Sequence, residues 1–369
     1  MASSRHHGIR PFQEADIDDV ARLWDSVLRP SSSLLTPDTQ GFLQRTLVSS
    51  PWADPELPSL VYVQGDGRIG GFLGCCVRRM VFDDRPIRAV CAAHLMIDPT
   101  ARARGAGALL LGRFMGGPQE LSVTDTASAA ARAMWKGLGG HTLHLGSVGW
   151  AHILRPGRVA RTLVARRLGS ESWLLRGAAQ PMWLLADVVL RYGIQTVYQK
   201  LPAEGVVGGT STEPLTATAA AEHLPAVAAP FRLRPDYDAP YLESLFHDLD
   251  RFGQGVPVSR LVRSGARVLG SYVYLLRYDS ISPVLHVTAR ERDVDAVLGH
   301  LFENAKAHGA AALVGRVEPH LQEALHRDSV FLFSADARRL IHSHDPKLIN
   351  VMRSADVLMT LLDGEWWWH

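Results

Sequence analysis

The sequence has few cysteines and almost no excess of either charge. It holds three cysteines among 369 residues, Cys75, Cys76 and Cys91, and their spacing fits neither a zinc site nor a disulfide framework. We therefore expect buried, reduced thiols and no metal ion. The formal net charge at pH 7 is +2, whereas a general nucleic-acid binder presents a clustered basic face. We therefore expect no nucleic-acid partner.

Long apolar runs are also missing. The chain has no stretch of about 18 uncharged apolar residues, which a transmembrane helix needs, and its first residues lack the apolar core of a secretion signal. We therefore expect a cytoplasmic protein. The apolar segment 173–193 is interrupted by Arg176, Pro181 and Asp187, so we expect it to pack between domains rather than to bind a membrane surface.

Residues 8–150 alternate between two kinds of hydrophobic pattern. Period-two alternation predicts strands near residues 9–12, 61–63, 69–82, 87–98 and 120–125. Helical spacing predicts helices over residues 16–28, 42–51, 107–115 and 126–140. The order is strand, two helices, three strands, helix, strand, helix, which is typical of an α/β or α+β domain.

The chain also contains an internal similarity. Residues 206–230 are rich in glycine, alanine, threonine and proline, and we interpret them as a linker. Beyond them, LRPDYDAPYLESLF resembles IRPFQEADIDDVARLW near the N-terminus, and RVLGSYVYLLRYD resembles RIGGFLGCCVRRMVFD. Two similarities in the same order indicate a duplicated domain. We predict domains over residues 1–168 and 230–369, joined by a helical connector and linker over residues 169–229.

The segment HLMIDPTARARGAGALLLGRFM, residues 94–115, joins a predicted strand to a predicted helix. Pro99 stops the strand, and the helix begins near Gly105. Free backbone amides and the helix dipole favour an anion at a helix N-terminus, glycines let a phosphate approach the backbone, and Arg102 and Arg104 add positive charge. The segment is therefore predicted to bind phosphate. It lacks the Gly-Lys-Ser/Thr and Gly-x-Gly-x-x-Gly patterns of two common nucleotide-binding loops.

The pattern Arg102-x-x-Gly105-x-Gly107, after Leu-x-Ile-Asp-Pro, resembles the GNAT superfamily of acyl-CoA-dependent N-acyltransferases. The order of elements and the segment ASAAARAMWKGLGG are similar to that family too, so the resemblance covers most of residues 8–150. It implies an α/β (α+β) fold of two GNAT-like domains, each a mixed, mostly antiparallel twisted sheet flanked by helices. It also implies acetyl-CoA or another acyl-CoA as the acyl donor. A glycine-rich turn that only caps a helix is the alternative.

In that family the coenzyme A pyrophosphate lies on the amides of this loop. The resemblance therefore implies six residues that bind it: Arg102, Ala103, Arg104, Gly105, Ala106 and Gly107. It also implies that the pantetheine arm pairs with the fourth strand near Met96 and Ile97, where the fourth and fifth strands splay apart. Ser128 lies where the family often has an asparagine that contacts the coenzyme, and a helix-capping role for Ser128 is the alternative.

The acceptor amine must lose a proton before it attacks the thioester, because a lysine-like amine has a pKa of about 10.4. The family often uses a carboxylate on the fourth strand, but this strand has no glutamate. His94 is predicted to be the base, because an imidazole titrates near pH 6.5; a structural histidine is the alternative. Trp135 takes the place of the family's proton-donating tyrosine, although an indole cannot act as an acid at neutral pH. A thiol with a pKa of about 8.5 can leave unaided.

The second half is predicted to be degenerate. Arg290 and Arg292 remain at the corresponding loop, but Glu291, Asp293 and Asp295 surround them, and both glycines are missing. The predicted function is that of an N-acetyltransferase (acyltransferase) that moves an acetyl or short acyl group to a primary amine of a small molecule or a peptide. Two alternatives stay open: a non-catalytic acyl-CoA sensor, and a Fem-type aminoacyl or peptidyl transferase, which has two such halves but usually lacks the phosphate loop.

Two further segments have more than one interpretation. Residues 154–169 contain five arginines and no acidic residue, so they either attract an anion or a membrane surface or form a solvated helix face. Three adjacent tryptophans, Trp366, Trp367 and Trp368, either stack on a sugar or cover the core of a sheet.

Overall fold

A computed structural model describes residues 8–28, 38–102, 105–168, 209–251, 255–327, 330–334 and 338–365; the side chains of residues 28, 163–168 and 334 are not described. Ala103, Arg104, the apolar segment 173–193 and the three tryptophans near the end of the chain lie outside the described residues. Predictions made for them are therefore not tested.

The described elements alternate along the chain. The strands are β1 (Gly8–Pro11), β2 (Leu60–Val63), β3 (Ile69–Phe82), β4 (Arg85–Ile97), β5 (Leu121–Ala127), β6 (His141–Leu143), β7 (Val148–Ile153), β8 (Thr210–Pro214), β9 (Leu233–Pro235), β10 (Val256–Ser264), β11 (Arg267–Leu276), β12 (Ile281–Ala289), β13 (Ala312–Arg316), β14 (Phe331–Ser334) and β15 (Arg338–His342). The helices are α1 (Ile17–Leu28), α2 (Thr39–Leu43), α3 (Pro99–Arg102), α4 (Ala106–Met115), α5 (Ala129–Gly137), α6 (Pro156–Leu168), α7 (Ala217–Ala228), α8 (Ala239–Arg251), α9 (Val294–Ala307), α10 (Gln322–Arg327) and α11 (Pro346–Met352).

The first part of the chain follows the predicted order of elements. Strand β3 has the predicted bounds, and α1 buries Val20, Leu23 and Trp24 on one face. Helix α2 continues into a wider helical turn, Gln44–Val48, which ends before Pro51 as predicted. The local periodicity of residues 8–140 was therefore sufficient to assign these elements.

The strands form two mixed sheets. Across the first sheet the order is β1-β2-β3-β4-β5-β15-β6, with β9 paired to β3, and across the second it is β14-β7-β13-β12-β11-β10-β8. Only two of the described neighbours are parallel, β4 with β5 and β12 with β13. The fold class predicted from the sequence, two mostly antiparallel sheets flanked by helices, is confirmed.

The two halves of the chain exchange strands. Strand β15 comes from the second half but lies in the first sheet, where it pairs with β5 on one side and β6 on the other. Strand β7 comes from the first half and lies in the second sheet, between β13 and β14. Each sheet is therefore completed by a strand of the other half.

The linker predicted over residues 206–230 is wrong for residues 210–228, because these form β8 and α7. Strand β8 pairs with β10 at the edge of the second sheet, which is the position that β1 occupies in the first. The segment that resembles β1 in sequence is β9, and it pairs with β3 of the first sheet. The strand order therefore favours a second repeat that begins at β8, and the predicted domain division stays a prediction.

The two halves share one apolar core. A continuous cluster of buried side chains joins residues of α1, β3 and β4 to residues of α7, α8 and the segment around residue 360. Trp52 stacks on Tyr241 with ring centroids 3.4 Å apart, and the Trp52 indole donates to Asp238 at 3.0 Å. Among the described residues, no helix is both long and apolar enough to cross a membrane.

Candidate active site

Strands β4 and β5 form a fork. Their parallel pairing runs from Ala89 opposite Leu121 to Cys91 opposite Val123. Strand β4 then continues for six residues to Ile97, which is about 20 Å of extended chain, and β5 continues to Ala127. We call the region between these two branches the first fork; its geometry agrees with the splayed strands that the family resemblance implied.

The start of α4 lies at the open end of the first fork. Gly105 precedes the helix with φ of +70°, a left-handed conformation that favours glycine. A Cβ at Gly105 would meet no atom within 4 Å, whereas one at Gly107 would touch Ile97 and Met134 at 3.5 Å. The first amides of α4 have no acceptor within the helix, and the approach to Gly105 is open. Gly105 therefore leaves room for a phosphate, whereas Ala106 and Gly107 are buried, and the role of all three in binding stays a prediction.

The other predicted coenzyme residues surround this helix start. Arg102 ends α3 with an exposed side chain, and its backbone carbonyl accepts a hydrogen bond from the Gly105 amide at 3.0 Å. Ile97 is half-buried, whereas Met96 is fully buried, with its side chain in the core on the opposite face of the sheet, so its predicted contact with the coenzyme stays a prediction. Ser128 is the N-cap of α5, and its hydroxyl accepts a hydrogen bond from the Ala131 amide at 3.2 Å.

A bulge interrupts β4 at the first fork. The pairing with β3 jumps from Ala93 opposite Gly74 to Met96 opposite Phe72, so β4 has one residue more than β3 across this interval. His94 lies in the bulge with φ of +52°. A bulge takes a backbone amide out of the ladder and redirects it. Such an amide can stabilise an oxyanion that develops at the fork.

The His94 side chain points into the core. It is 4% exposed, and its ring centroid lies 4.1 Å from that of Trp24 and 6.0 Å from that of Phe42. This packing favours the structural alternative that the sequence left open for His94.

Trp135 is also a core residue. It is 2% exposed and packs at 6.2 Å from Phe114 of α4. Its position favours support of α4 and α5 over any contact with the leaving sulfur. Neither residue that the sequence proposed for catalysis therefore presents an open side chain at the fork.

The sequence did not indicate Glu365, which lies at the branch point of the first fork. Its Oε1 accepts hydrogen bonds from the Thr124 hydroxyl, the Asp125 amide at 3.2 Å and the Thr126 amide at 3.3 Å. These are the first three residues of β5 beyond its last pair with β4. Burial raises the pKa of Glu365 to about 7. The hydrogen bond from Thr124 lowers this pKa, and the charge of Asp125 raises it further. The carboxyl group therefore titrates in the neutral range.

Glu365 is held in place by a buried ionic cluster between the halves. Arg316 of β13 and Arg339 of β15 donate to the same oxygen of Asp125, at 2.8 and 2.9 Å. Burial disfavours the Asp125 carboxylate, but the two guanidinium groups outweigh it and lower the pKa of Asp125. A Cβ at residue 364 would collide with Asp125. Gly364 therefore lets the chain pass close enough to place Glu365 on β5.

The second sheet has an equivalent fork with different contents. Strands β12 and β13 pair as far as Pro283 opposite Val314 and then separate, which we call the second fork. Its cavity is only about 10 Å³, roughly enough for one water molecule. The buried His286 lines this cavity. Two more buried polar residues, Thr288 and Ser271, lie opposite each other on β12 and β11.

The helix start beside the second fork is occupied by protein charges. Asp293 directly precedes α9, and its carboxylate accepts two hydrogen bonds from Arg267, at 2.8 and 3.0 Å. Arg292 lies 3.7 Å from the same carboxylate. The position that corresponds to the predicted phosphate loop therefore carries a paired carboxylate.

The arginine-rich segment is partly neutralised within the chain. Arg155, Arg158 and Arg161 all pair with the carboxylate of Asp279. The described part of this segment therefore resembles a packed helix face more than an open anion site. The three cysteines are buried and unbonded, as expected.

No family model and no curated protein matches this chain, but solved structures do. A probable N-acyltransferase from Enterococcus faecalis V583, described as a conserved protein of unknown function, has a TM-score of 0.58 at 8% identity, over 91% of this chain and 72% of its own. GCN5-related N-acetyltransferases from Anabaena variabilis ATCC 29413 and Kribbella flavida have TM-scores of 0.56 and 0.54 at 12% and 14% identity. Each covers 92% of this chain, and the match spans 73% and 71% of their own lengths. At such identities the likeness concerns the fold: this chain has the fold of the GCN5-related N-acetyltransferases.

Proposed function

We propose that this protein is an acyl-CoA-dependent N-acyltransferase whose active site is the first fork. The observation that carries the proposal is the open start of α4, with Gly105 in a left-handed conformation, at the mouth of a fork in this fold. The neighbours in fold are described as N-acetyltransferases and a probable N-acyltransferase. The acyl donor is acetyl-CoA or another acyl-CoA, and the acceptor is a primary amine of a small molecule or a peptide.

The residues of the first fork have separate tasks in this proposal. The amides of Gly105, Ala106 and Gly107 hold the coenzyme phosphates, with Arg102 and Arg104 as the nearby positive charges. The part of β4 near Met96 and Ile97, beyond its last pair with β5, pairs with the extended arm that ends in the thioester. The bulge at His94 supplies the amide for the oxyanion. These tasks together place the thioester near the branch point of the fork.

A second candidate is an acyl-CoA sensor that has lost its chemistry. The observation that favours it concerns Trp135. The expected position of the proton donor holds this buried indole, which is not an acid. The Fem-type alternative receives less support, because those enzymes usually lack a phosphate loop, and the pattern Arg102-x-x-Gly105-x-Gly107 predicts one in this chain.

Turnover separates the enzyme from the sensor. The full-length protein is incubated with acetyl-CoA and a panel of primary amines, and the free thiol and the mass of the amine are followed. An enzyme releases thiol only when an amine is present and adds one acyl mass to that amine. Coenzyme binding without amine-dependent release would instead support the sensor.

A further inference from the structure

We propose that Glu365 accepts the proton of the acceptor amine at the first fork. This inference rests on the proposed function, which assigns acyl transfer to the same site. It concerns a residue of the segment that follows α11 and reaches strand β5 of the first sheet.

Glu365 is hydrogen-bonded to one branch of the fork and lies close enough to the other to act on its charge. Its Oε1 is bound by Thr124, Asp125 and Thr126 on the β5 branch. On the β4 branch, burial raises the pKa of the Cys91 thiol, and the charge of Glu365 raises it further. Cys91 is the last residue of β4 that pairs with β5. Glu365 therefore lies where the two strands part, at the opposite end of the fork from α4.

The two oxygens of Glu365 are in different situations. Oε1 has three donors, whereas Oε2 is buried and has no hydrogen-bond partner among the described residues. A buried carboxylate oxygen without a donor is costly, and the N–H of an acceptor amine would satisfy it. The bonds to Oε1 orient the group, and Oε2 is left for the substrate.

The neighbouring acids are less suitable for this task. Asp125 has a lowered pKa because Arg316 and Arg339 outweigh its burial, so it is a weak base. Asp363 is already bonded by the hydroxyl groups of Tyr237 and Thr360. The titratable and charged groups that face Glu365 are Asp125 and the thiols of Cys91 and Cys76, with Arg78 near both thiols.

The proton balance of the reaction is simple. The acceptor arrives as an ammonium ion, and Oε2 of Glu365 takes one proton. The freed lone pair of the nitrogen attacks the thioester carbonyl carbon. When the tetrahedral adduct collapses, the C–S bond breaks with its electron pair on sulfur, and the second proton of the nitrogen passes to that sulfur. The products are the amide and the free thiol, and Glu365 then releases its proton to solvent.

The test compares two buried glutamates in the full-length protein. Glu365→Gln removes the proton acceptor and keeps the shape. Glu318→Gln is the matched control, because Glu318 is also buried and lies 3.6 Å from Arg339 of the same ionic cluster. We expect Glu365→Gln to lower kcat/KM by about 100-fold or more, with unchanged coenzyme A affinity, and Glu318→Gln to stay within about threefold of wild type. A loss in Glu365→Gln no larger than that in Glu318→Gln would overturn the inference and leave the proposed function standing.

The pH profile gives a second readout that does not depend on the variant. In wild type, kcat/KM should rise with pH through a limb near 7, and this limb should stay in place when the acceptor is replaced by an amine of lower pKa. The limb should be absent in Glu365→Gln. A limb that moves with the pKa of the amine would overturn the inference, even if Glu365→Gln does not fold. A wild-type protein that transfers nothing to any amine would overturn the proposed function and this inference with it.

Discussion

The two forks have the same strand topology and opposite contents. At the first fork, a carboxyl group with a raised pKa lies at the branch point, and the helix beside the fork begins with an open glycine. At the second fork, the buried His286 lines a cavity of about 10 Å³, and the helix beside it begins with a paired aspartate. The comparison teaches that topology alone does not make a site; the few residues at the branch point and at the helix start do.

One short segment touches both forks. Thr360 lies 3.1 Å from the Nδ1 of His286 at the second fork, and Glu365, five residues later, reaches the first. The second half therefore contributes to the first fork in two ways, through this segment and through strand β15. The first fork can therefore depend on the second half even though the cavity at the second fork is only about 10 Å³.

The largest effect should follow from separating the halves. A chain that ends at Gly205 lacks β15, so β5 and β6 lose the strand between them, and the shared core is opened. We expect this fragment to be insoluble alone, because it exposes unpaired strand edges and a large apolar surface. Expression followed by size-exclusion chromatography measures this.

Coexpression provides the control for that experiment. Residues 206–369 supply β15 in trans, so the two fragments together should give a soluble one-to-one complex. A monodisperse monomer of residues 1–205 with full turnover would show that the first fork needs nothing from the second half.

The next largest effect is on stability: the contributions of the two forks to the free energy of unfolding should depend on pH in opposite directions. Burial lowers the pKa of His286 to about 4, so its contribution to stability is complete above pH 6.5 and is lost as the pH falls toward 4. Glu365 has a raised pKa of about 7, so its contribution is complete below about pH 4.5 and is lost as the pH rises toward 7. Each pKa shift corresponds to about 3 kcal/mol in the free energy of unfolding.

Denaturant unfolding between pH 4 and 8 measures these contributions. His286→Asn should flatten the acid limb of the free energy of unfolding, and Glu365→Gln should flatten the limb between about pH 4.5 and 7. His344→Asn is the control, because this histidine is exposed, and it should change neither limb. Parallel curves for wild type and both fork variants would contradict the assigned burial.

A smaller effect, on binding alone, is expected at Gly105. Aspartate and asparagine both tolerate a left-handed backbone and both cap helices, so Gly105→Asp and Gly105→Asn should fold equally well. Only aspartate repels a phosphate, and we expect it to bind coenzyme A about 100-fold more weakly than asparagine does. Calorimetric titration compares them, and equal affinities would mean that the loop only caps the helix.

The smallest effect concerns the edge of the first fork. Ser128→Ala removes the N-cap of α5 and should lower the free energy of unfolding by about 1 kcal/mol. Ser128→Asp keeps the cap and should restore that stability, as chemical denaturation can show. If the stability of Ser128→Ala equals that of wild type, the cap contributes nothing, and a contact with the coenzyme becomes the better explanation of this serine.

The sequence was sufficient where structure depends on neighbours along the chain. The strands and helices up to residue 140 follow from hydrophobic periodicity, and Gly105 marks the start of α4 because a positive φ is a local requirement. The similarity between the segments near residues 9 and 233 was also real in sequence. The similarity did not predict the position of β9, because the pairing of β9 with β3 is decided by long-range contacts.

The parts that the sequence did not predict all depend on distant residues. Glu365 contacts Thr124 across 241 positions, and β15 enters the first sheet from the other half. His94 has the right chemistry for a base, but the bulge and the packing of Trp24 turn its ring into the core. Periodicity and spacing contain no signal for any of these contacts.

The stoichiometry of coenzyme A binding tests the central claim, that only the first fork is a site. Calorimetric titration of the full-length protein should give one coenzyme A per chain. Gly105→Asp should weaken that binding about 100-fold, and Glu291→Gln, at the helix start beside the second fork, should leave it unchanged. Two sites per chain, or a single site whose affinity is unchanged by Gly105→Asp, would contradict the account.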